Sequence, residues 1–290
     1  MTTAIKLKNS NNGDIVKNTE QGTISFQFKN GISVDITLDG SIRVTNRTAN
    51  AVAAVNATGN ISAVMHPVGF MYKKDEIVHI QANDMHFKNH KLAKIRPTGI
   101  HFKAIKSPLV YLVDEAGVRT NFSENFMRID QDITLDVLYK DCRHGAMYMN
   151  VCNDLLSDIK CTVLETGTEW KLYDVSVIQE NIHGFIRVIK DGRDKFEIRS
   201  SASVGTINLY SDKVDCTASH GTNHHFFVKK NNSRIHYEVH NKFMVRYGGY
   251  HTGFNESDEV SFFSDGPRSG RKRRRPSSCD SIYLVIALVH

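Results

Sequence analysis

Cys216, His220, His224 and His225 fall within one short polar stretch, with His236 and His240 a little further on. Cysteine thiolate and imidazole are the ligand types that zinc takes in a tetrahedron of four. A Cys and a His four apart need a turn to converge, and the other cysteines are distant in sequence. The spacing therefore matches no established zinc pattern, and histidines flanking Gly221-Thr222-Asn223 read as surface residues. We expect no metal ligands here and no bound cofactor.

A second grouping is Asp141, Cys142 and His144. A nucleophilic cysteine needs a base held in place by a third group, and a run this short guarantees none of that geometry. No Gly-x-Ser-x-Gly elbow, phosphate-cradling glycine loop or His-Glu-x-x-His helix is present. No catalytic residue is assigned. An enzyme with a dispersed His/carboxylate site remains one alternative.

The third grouping is electrostatic. Arg271, Lys272, Arg273, Arg274 and Arg275 are consecutive, and five adjacent cations cannot be buried without partners. Such a run suits a nuclear import receptor, nucleic acid or an acidic membrane, and import asks the least of it, an accessible basic cluster. Ser277 and Ser278 follow directly. They are candidate phosphoacceptors whose modification would offset the positive charge.

The whole-chain charge of +6 must be divided before it is read. Beyond Phe263 lie six basic and two acidic residues, which leaves 31 basic and 29 acidic in the body. The body is thus nearly neutral. In His224-His225-Phe226-Phe227-Val228-Lys229-Lys230, rings alternate with cations as in some single-strand binders. A strand entering a basic turn gives the same pattern, and the neutral body favours that structural reading.

The elements that would position these groups are mostly strands. Ile32 to Leu38 alternates apolar and polar residues, Asp39-Gly40 follows, and Ser41 to Thr45 alternates again. Period-two alternation gives one core face and one wet face, and Asp-Gly suits a tight hairpin turn. Asn30-Gly31 joins Ile24 to Lys29 in the same way, predicting a three-stranded meander. Lys74-Asp75, Asp114 to Gly117 and Asp191-Gly192 are further turn signals. Ala49 to Ala57 allows either a short helix or a buried strand. Between Gly145 and Ile159, Met147, Val151, Leu155 and Ile159 recur four apart, with Cys152 and Leu156 alongside. That stripe predicts one amphipathic helix packed on a sheet. Arg234 to His240 alternates with Ile235, Tyr237 and Val239 inward, and Lys242 to Tyr247 should lie beside it.

We therefore expect a mainly β protein of antiparallel sheets in two β-rich lobes, with one central helix and a disordered basic C-terminal tail. The expected divisions are 1–160, a lobe ending in the helix; 161–263, a second lobe; and 264–290, the tail. The tail ends in eight apolar residues, Ile282 to Val289. That is far short of the roughly 20 that span a bilayer as a helix, so no membrane association is expected. The five cysteines have no disulfide-framework spacing and Met1-Thr2-Thr3-Ala4 opens no secretory leader. A soluble protein of the cytoplasm or nucleus is expected. The reading that fits best is a non-enzymatic protein-interaction or scaffolding module with protein partners and an import receptor. Strand addition at a sheet edge is one physical route. The main alternative is a nucleic-acid-associated nuclear protein that holds phosphates with its tail.

Overall fold

The computed structural model describes residues 4–6, by backbone only, and then 14–84, 88–121, 123–221, 224–238 and 242–262. The basic run Arg271 to Arg275, together with Ser277, Ser278 and the whole expected tail, lies outside the described residues. Two antiparallel sheets account for most of the chain. The first is a meander of 13 strands running in sequence order from β1 (Ala4–Lys6) to β13 (Gly117–Asn121). The second is a meander of 12, from β14 (Lys160–Leu164) to β25 (Val260–Phe262), again in sequence order.

The expected meander is present as β3 (Thr23–Gln27), β4 (Ile32–Thr37) and β5 (Ile42–Asn46), paired in that order. Gly31 and Gly40 sit in their turns at φ +84° and +79°, the left-handed region that glycine occupies without penalty. The ambiguous alanine-valine stretch is strand β6 (Ala51–Val55). Four of its five residues are buried, as a strand covered on both faces requires. The later turn is displaced by one residue from its expected place. Asp75 and Glu76 turn, with Asp75 at φ +52°, and Lys74 pairs Ile77.

The two sheets lie face to face. Strand β5 touches β18 (Phe196–Ser201), β6 touches β19 (Thr206–Ser211), and β7 (Ile61–His66) touches β20 (Asp215–Ser219). The stacking thus keeps the same strand order in both layers. Their inward side chains share one hydrophobic cluster. Trp170 of β15 (Gly167–Leu172) meets Phe26 and Phe28 at 6.3 and 5.6 Å between ring centroids, and Phe102 meets Phe254 at 5.6 Å. Gly69 is required at one such contact, because a Cβ there would stand 2.6 Å from the Phe226 ring.

Side chains from one layer close the rims by bonding to turn carbonyls of the other. Lys190 Nζ donates to Gly40 O (3.1 Å) and Ala57 O (2.8 Å). Lys213 Nζ donates to Thr58 O (2.9 Å), and Lys230 Nζ pairs with Glu76 at 2.6 Å. On the opposite rim Asn30 donates to Gly184 O (3.0 Å) and buried Asn46 to Ser200 Oγ (3.0 Å).

Between the sheets the chain doubles back across the outer face of the first. Glu124 is held by Lys94 (2.8 Å) and Arg96 (3.0 Å), and Asp132 by Arg43 (2.8 Å). Helix α1 (Thr134–Tyr139) then covers β6 and β7, where Ile129, Ile133 and Val137 pack on Ala54, Ile61 and Ala63. This short helix adds to the one expected. The expected helix follows as a 3-10 turn (Ala146–Tyr148) and α2 (Met149–Asp158), lying on β2 (Ile15–Asn18) and β3. Its buried residues are Cys152, Leu155 and Leu156, whereas Met147 is 80% exposed and Val151 46%. The tighter first turn takes Met147 out of α-helical phase, and within α2 the buried stripe runs through Cys152, Leu155 and Leu156, leaving Val151 at its margin.

Candidate functional site

The grouped histidines do not converge with the cysteine. Cys216 points into the inter-sheet core, fully buried, and burial pushes its thiol far above the usual range. His220 lies at the rim, its ring 6.4 Å from that of His66. His66 is held by both layers: its Nδ1 accepts from the Val68 N–H (3.3 Å), and its Nε2 donates to Gly205 O (3.2 Å). That is the neutral tautomer, and burial, aided by His220 and His225 nearby, lowers the pKa to about 4 against the opposing bond to Gly205. Among the described residues no three His, Cys, Asp or Glu side chains are grouped as a metal ion needs.

Cys142 and His144 are adjacent but not arranged as nucleophile and base. Cys142 Sγ donates to Leu138 O (3.3 Å) and lies 4.0 Å from His144 Nδ1, and burial raises its thiol. His144 Nδ1 is instead within hydrogen-bond distance of the Cys142 carbonyl O (3.1 Å), and Asp141 is 72% exposed and 3.8 Å from Lys140. The third group that would orient an imidazole is absent from this trio.

Two surfaces stand apart from the rest of the described structure. The first is the edge strand β14. All five of its residues are exposed, including Val163 at 68%. Among the described residues it pairs only β15, through the two-residue turn Glu165-Thr166, with Leu164 opposite Gly167. In such a hairpin the residues flanking the turn form a closely hydrogen-bonded pair, and pairs alternate from there. Leu164, Thr162 and Lys160 therefore bond to β15, while the N–H and C=O of Val163 and Cys161 point out along the open edge. The side chains of these two residues lie on the face that carries buried Trp170, to which Cys161 is directly paired. Among the described residues this edge presents exposed apolar side chains together with backbone that no strand pairs.

The second surface is the outer face of the second sheet over β21 (His225–Lys230), β22 (Ser233–Glu238), β23 (Lys242–Tyr247) and β24 (Tyr250–Phe254). In the ring-and-cation stretch, Phe226, Val228 and Lys230 turn inward and His225, Phe227 and Lys229 outward. Outward residues Phe227, His236 and Met244 lie side by side across three strands, and the next position is Gly253. The Phe227 and His236 rings meet edge to face at 6.0 Å, and burial lowers the pKa of His236. With Arg234, Arg246 and His251 these residues line a hollow of about 190 Å³. The signal for this site was present in the sequence, since Arg234 and Arg246 are equidistant from the centre of their hairpin, but only the register proves them neighbours. Val239, expected inward beside them, lies outside the described residues.

No helix among the described residues is long and apolar enough to cross a membrane. Residues 15–251 match a family model described as "Domain of unknown function (DUF8796)". No curated protein matches the chain in sequence. One solved structure with some likeness is the wild-type TCP10 domain of Danio rerio CPAP in complex with a peptide of Danio rerio STIL. It is 14% identical, with 85% of this chain and 98% of that chain covered and a TM-score of 0.23. Another is the WD40 domain of SCAP from fission yeast, 11% identical, covering 94% of this chain and 70% of that one, with a TM-score of 0.13. Superpositions this loose carry no argument about partners or activity.

Proposed function

The chain belongs to this DUF8796 family of domains of unknown function, and we propose that it is a non-enzymatic protein-interaction module that takes up a partner segment as an added strand on β14. The observation that supports this reading is that, among the described residues, backbone no strand pairs coincides with exposed apolar side chains at Cys161 and Val163. Main-chain hydrogen bonds supply affinity in strand addition, and alternate side chains supply selectivity. Open apolar edges are otherwise a hazard that proteins blunt with charge or proline.

Val163→Pro tests the reading cleanly. The Val163 N–H points away from β15, so proline removes a donor that only an added strand would use. Full-length protein captured from its native cells should lose a specific partner on this substitution, with an unchanged melting temperature. In hydrogen exchange the recovered partner should protect 160–164 of the original chain. A partner retained equally by Val163→Pro, or protection elsewhere only, rejects the edge.

The proposal extends to the nucleus through Arg271 to Arg275, on the strength of the sequence. Changing all five to alanine should move a fluorescently tagged chain from nucleus to cytoplasm with its melting temperature nearly constant. Acidic replacements of Ser277 and Ser278 should act in the same direction but less. Unchanged localisation of the alanine variant would remove the import role.

A further inference from the structure

Arg234 and Arg246 are directly opposite each other on β22 and β23, both on the outer face. Like charges at such a position repel, yet neither guanidinium has a carboxylate within ion-pair distance among the described residues. The neighbouring acids are taken, Asp215 by Lys229 (3.3 Å) and Glu238 by Lys242 (3.9 Å). Lys229 lies opposite Arg234 on one side, and His251 opposite Arg246 on the other. Lys229, Arg234, Arg246 and His251 thus form one row across four strands, with neighbours about 5 Å apart. Its centre is the two guanidiniums without a carboxylate partner among the described residues, and Lys229 at one end is shared with Asp215. Immediately beside it runs the row Phe227, His236 and Met244. Gly253 ends that row, buried and packed so closely on its neighbour strand that a Cβ there would stand 1.9 Å from Phe243 O.

We propose that this face binds single-stranded nucleic acid, with phosphates along the basic row and bases against Phe227, His236 and Met244. Charge complementarity calls for an anion, and the ring row calls for one that carries flat apolar groups. An acidic peptide fits less well. Strands β21 to β23 are paired along both sides and β24 along most of its length, so the face offers little free main chain to a peptide backbone, and recognition there runs through side chains. Stacking beside a basic track is the side-chain mode by which single strands are held. The body's near-neutral total charge conceals this local asymmetry. The site is separate from the β14 edge and stands or falls without it.

The test uses the full chain with Arg271 to Arg275 changed to alanine, so that the tail contributes no charge, and fluorescein-labelled oligo(U) and oligo(dT) dodecamers. Anisotropy titrations should show salt-dependent binding of at least one polymer, and the stronger identifies RNA or DNA as the source. Adding Arg234→Gln and Arg246→Gln should weaken binding about tenfold or more and reduce the salt slope by about 1.4, the share of two phosphate contacts to a single strand. Phe227→Ala should weaken binding while leaving the slope unchanged, because it removes stacking and no charge. Absence of binding, indifference to the paired glutamines in a chain of unchanged melting temperature, or equal competition by a polyglutamate peptide would each overturn the proposal.

Discussion

Lys190 illustrates how single residues bind the two layers together. It belongs to the second sheet, is 7% exposed, and donates to two turn carbonyls of the first. Lys190→Met keeps most of the stem but leaves those carbonyls without their donor. Stability should fall by about 1–3 kcal/mol in urea unfolding. His66 contributes through its proton. Burial holds it neutral with a pKa of about 4, whereas an unfolded chain takes up that proton near pH 6.5. Between those values the unfolded state binds more protons than the folded one. The contribution is therefore full above pH 6.5 and is lost progressively as pH falls toward 4. At pH 5 the loss should be on the order of 2 kcal/mol relative to neutral pH. Urea titrations at pH 7 and 5 check this, and His66→Gln should shrink the difference by about that amount while leaving the share of His79, whose pKa burial also lowers to about 4.

At the scale of elements, the corner formed by β14, β15 and β16 (Val175–Glu180) depends on the close approach of Gly167 to its neighbour. A Cβ at Gly167 would stand 2.0 Å from Gln179 O, so Gly167→Ala must displace backbone rather than a side-chain tip. We expect faster hydrogen exchange over 160–180 and a lower melting temperature, with β4 to β6 still protected. Uniform loss of protection would mean that the corner and the core unfold together. The strands themselves were largely legible, since alternation and Asn-Gly or Asp-Gly pairs report local geometry. The helix stripe was legible in kind but out of phase, because periodicity does not reveal that the first turn is a 3-10 turn.

The whole molecule is unified by one inter-sheet cluster to which both sheets and α2 contribute. Each sheet alone would expose an entire apolar face to water, a cost no rim contact offsets. The full chain should therefore unfold in a single calorimetric transition. Residues 1–159 and 160–290 produced separately should bind a hydrophobic dye and lack cooperative melting. Independent cooperative folding of either piece would show that the shared core is dispensable.

Local pattern in the sequence determined the strand-dominated class, the order of hairpins, most turn positions and the presence of an amphipathic helix after Gly145. These follow from side-chain alternation and from backbone angles that glycine, asparagine and aspartate tolerate, and both act within a few residues. Tertiary structure alone decided the rest. Alternation assigns an inward face but cannot say what covers it, so the stacking of β5 to β7 on β18 to β20 was invisible. Nothing in the local pattern around Lys160–Leu164 marks it as a sheet edge, and it is one because no strand among the described residues pairs its outer side. Arg234 and Arg246 were scattered cations until register placed them opposite each other. Chemistry that depends on juxtaposition needs the long-range pairing that the linear pattern does not carry.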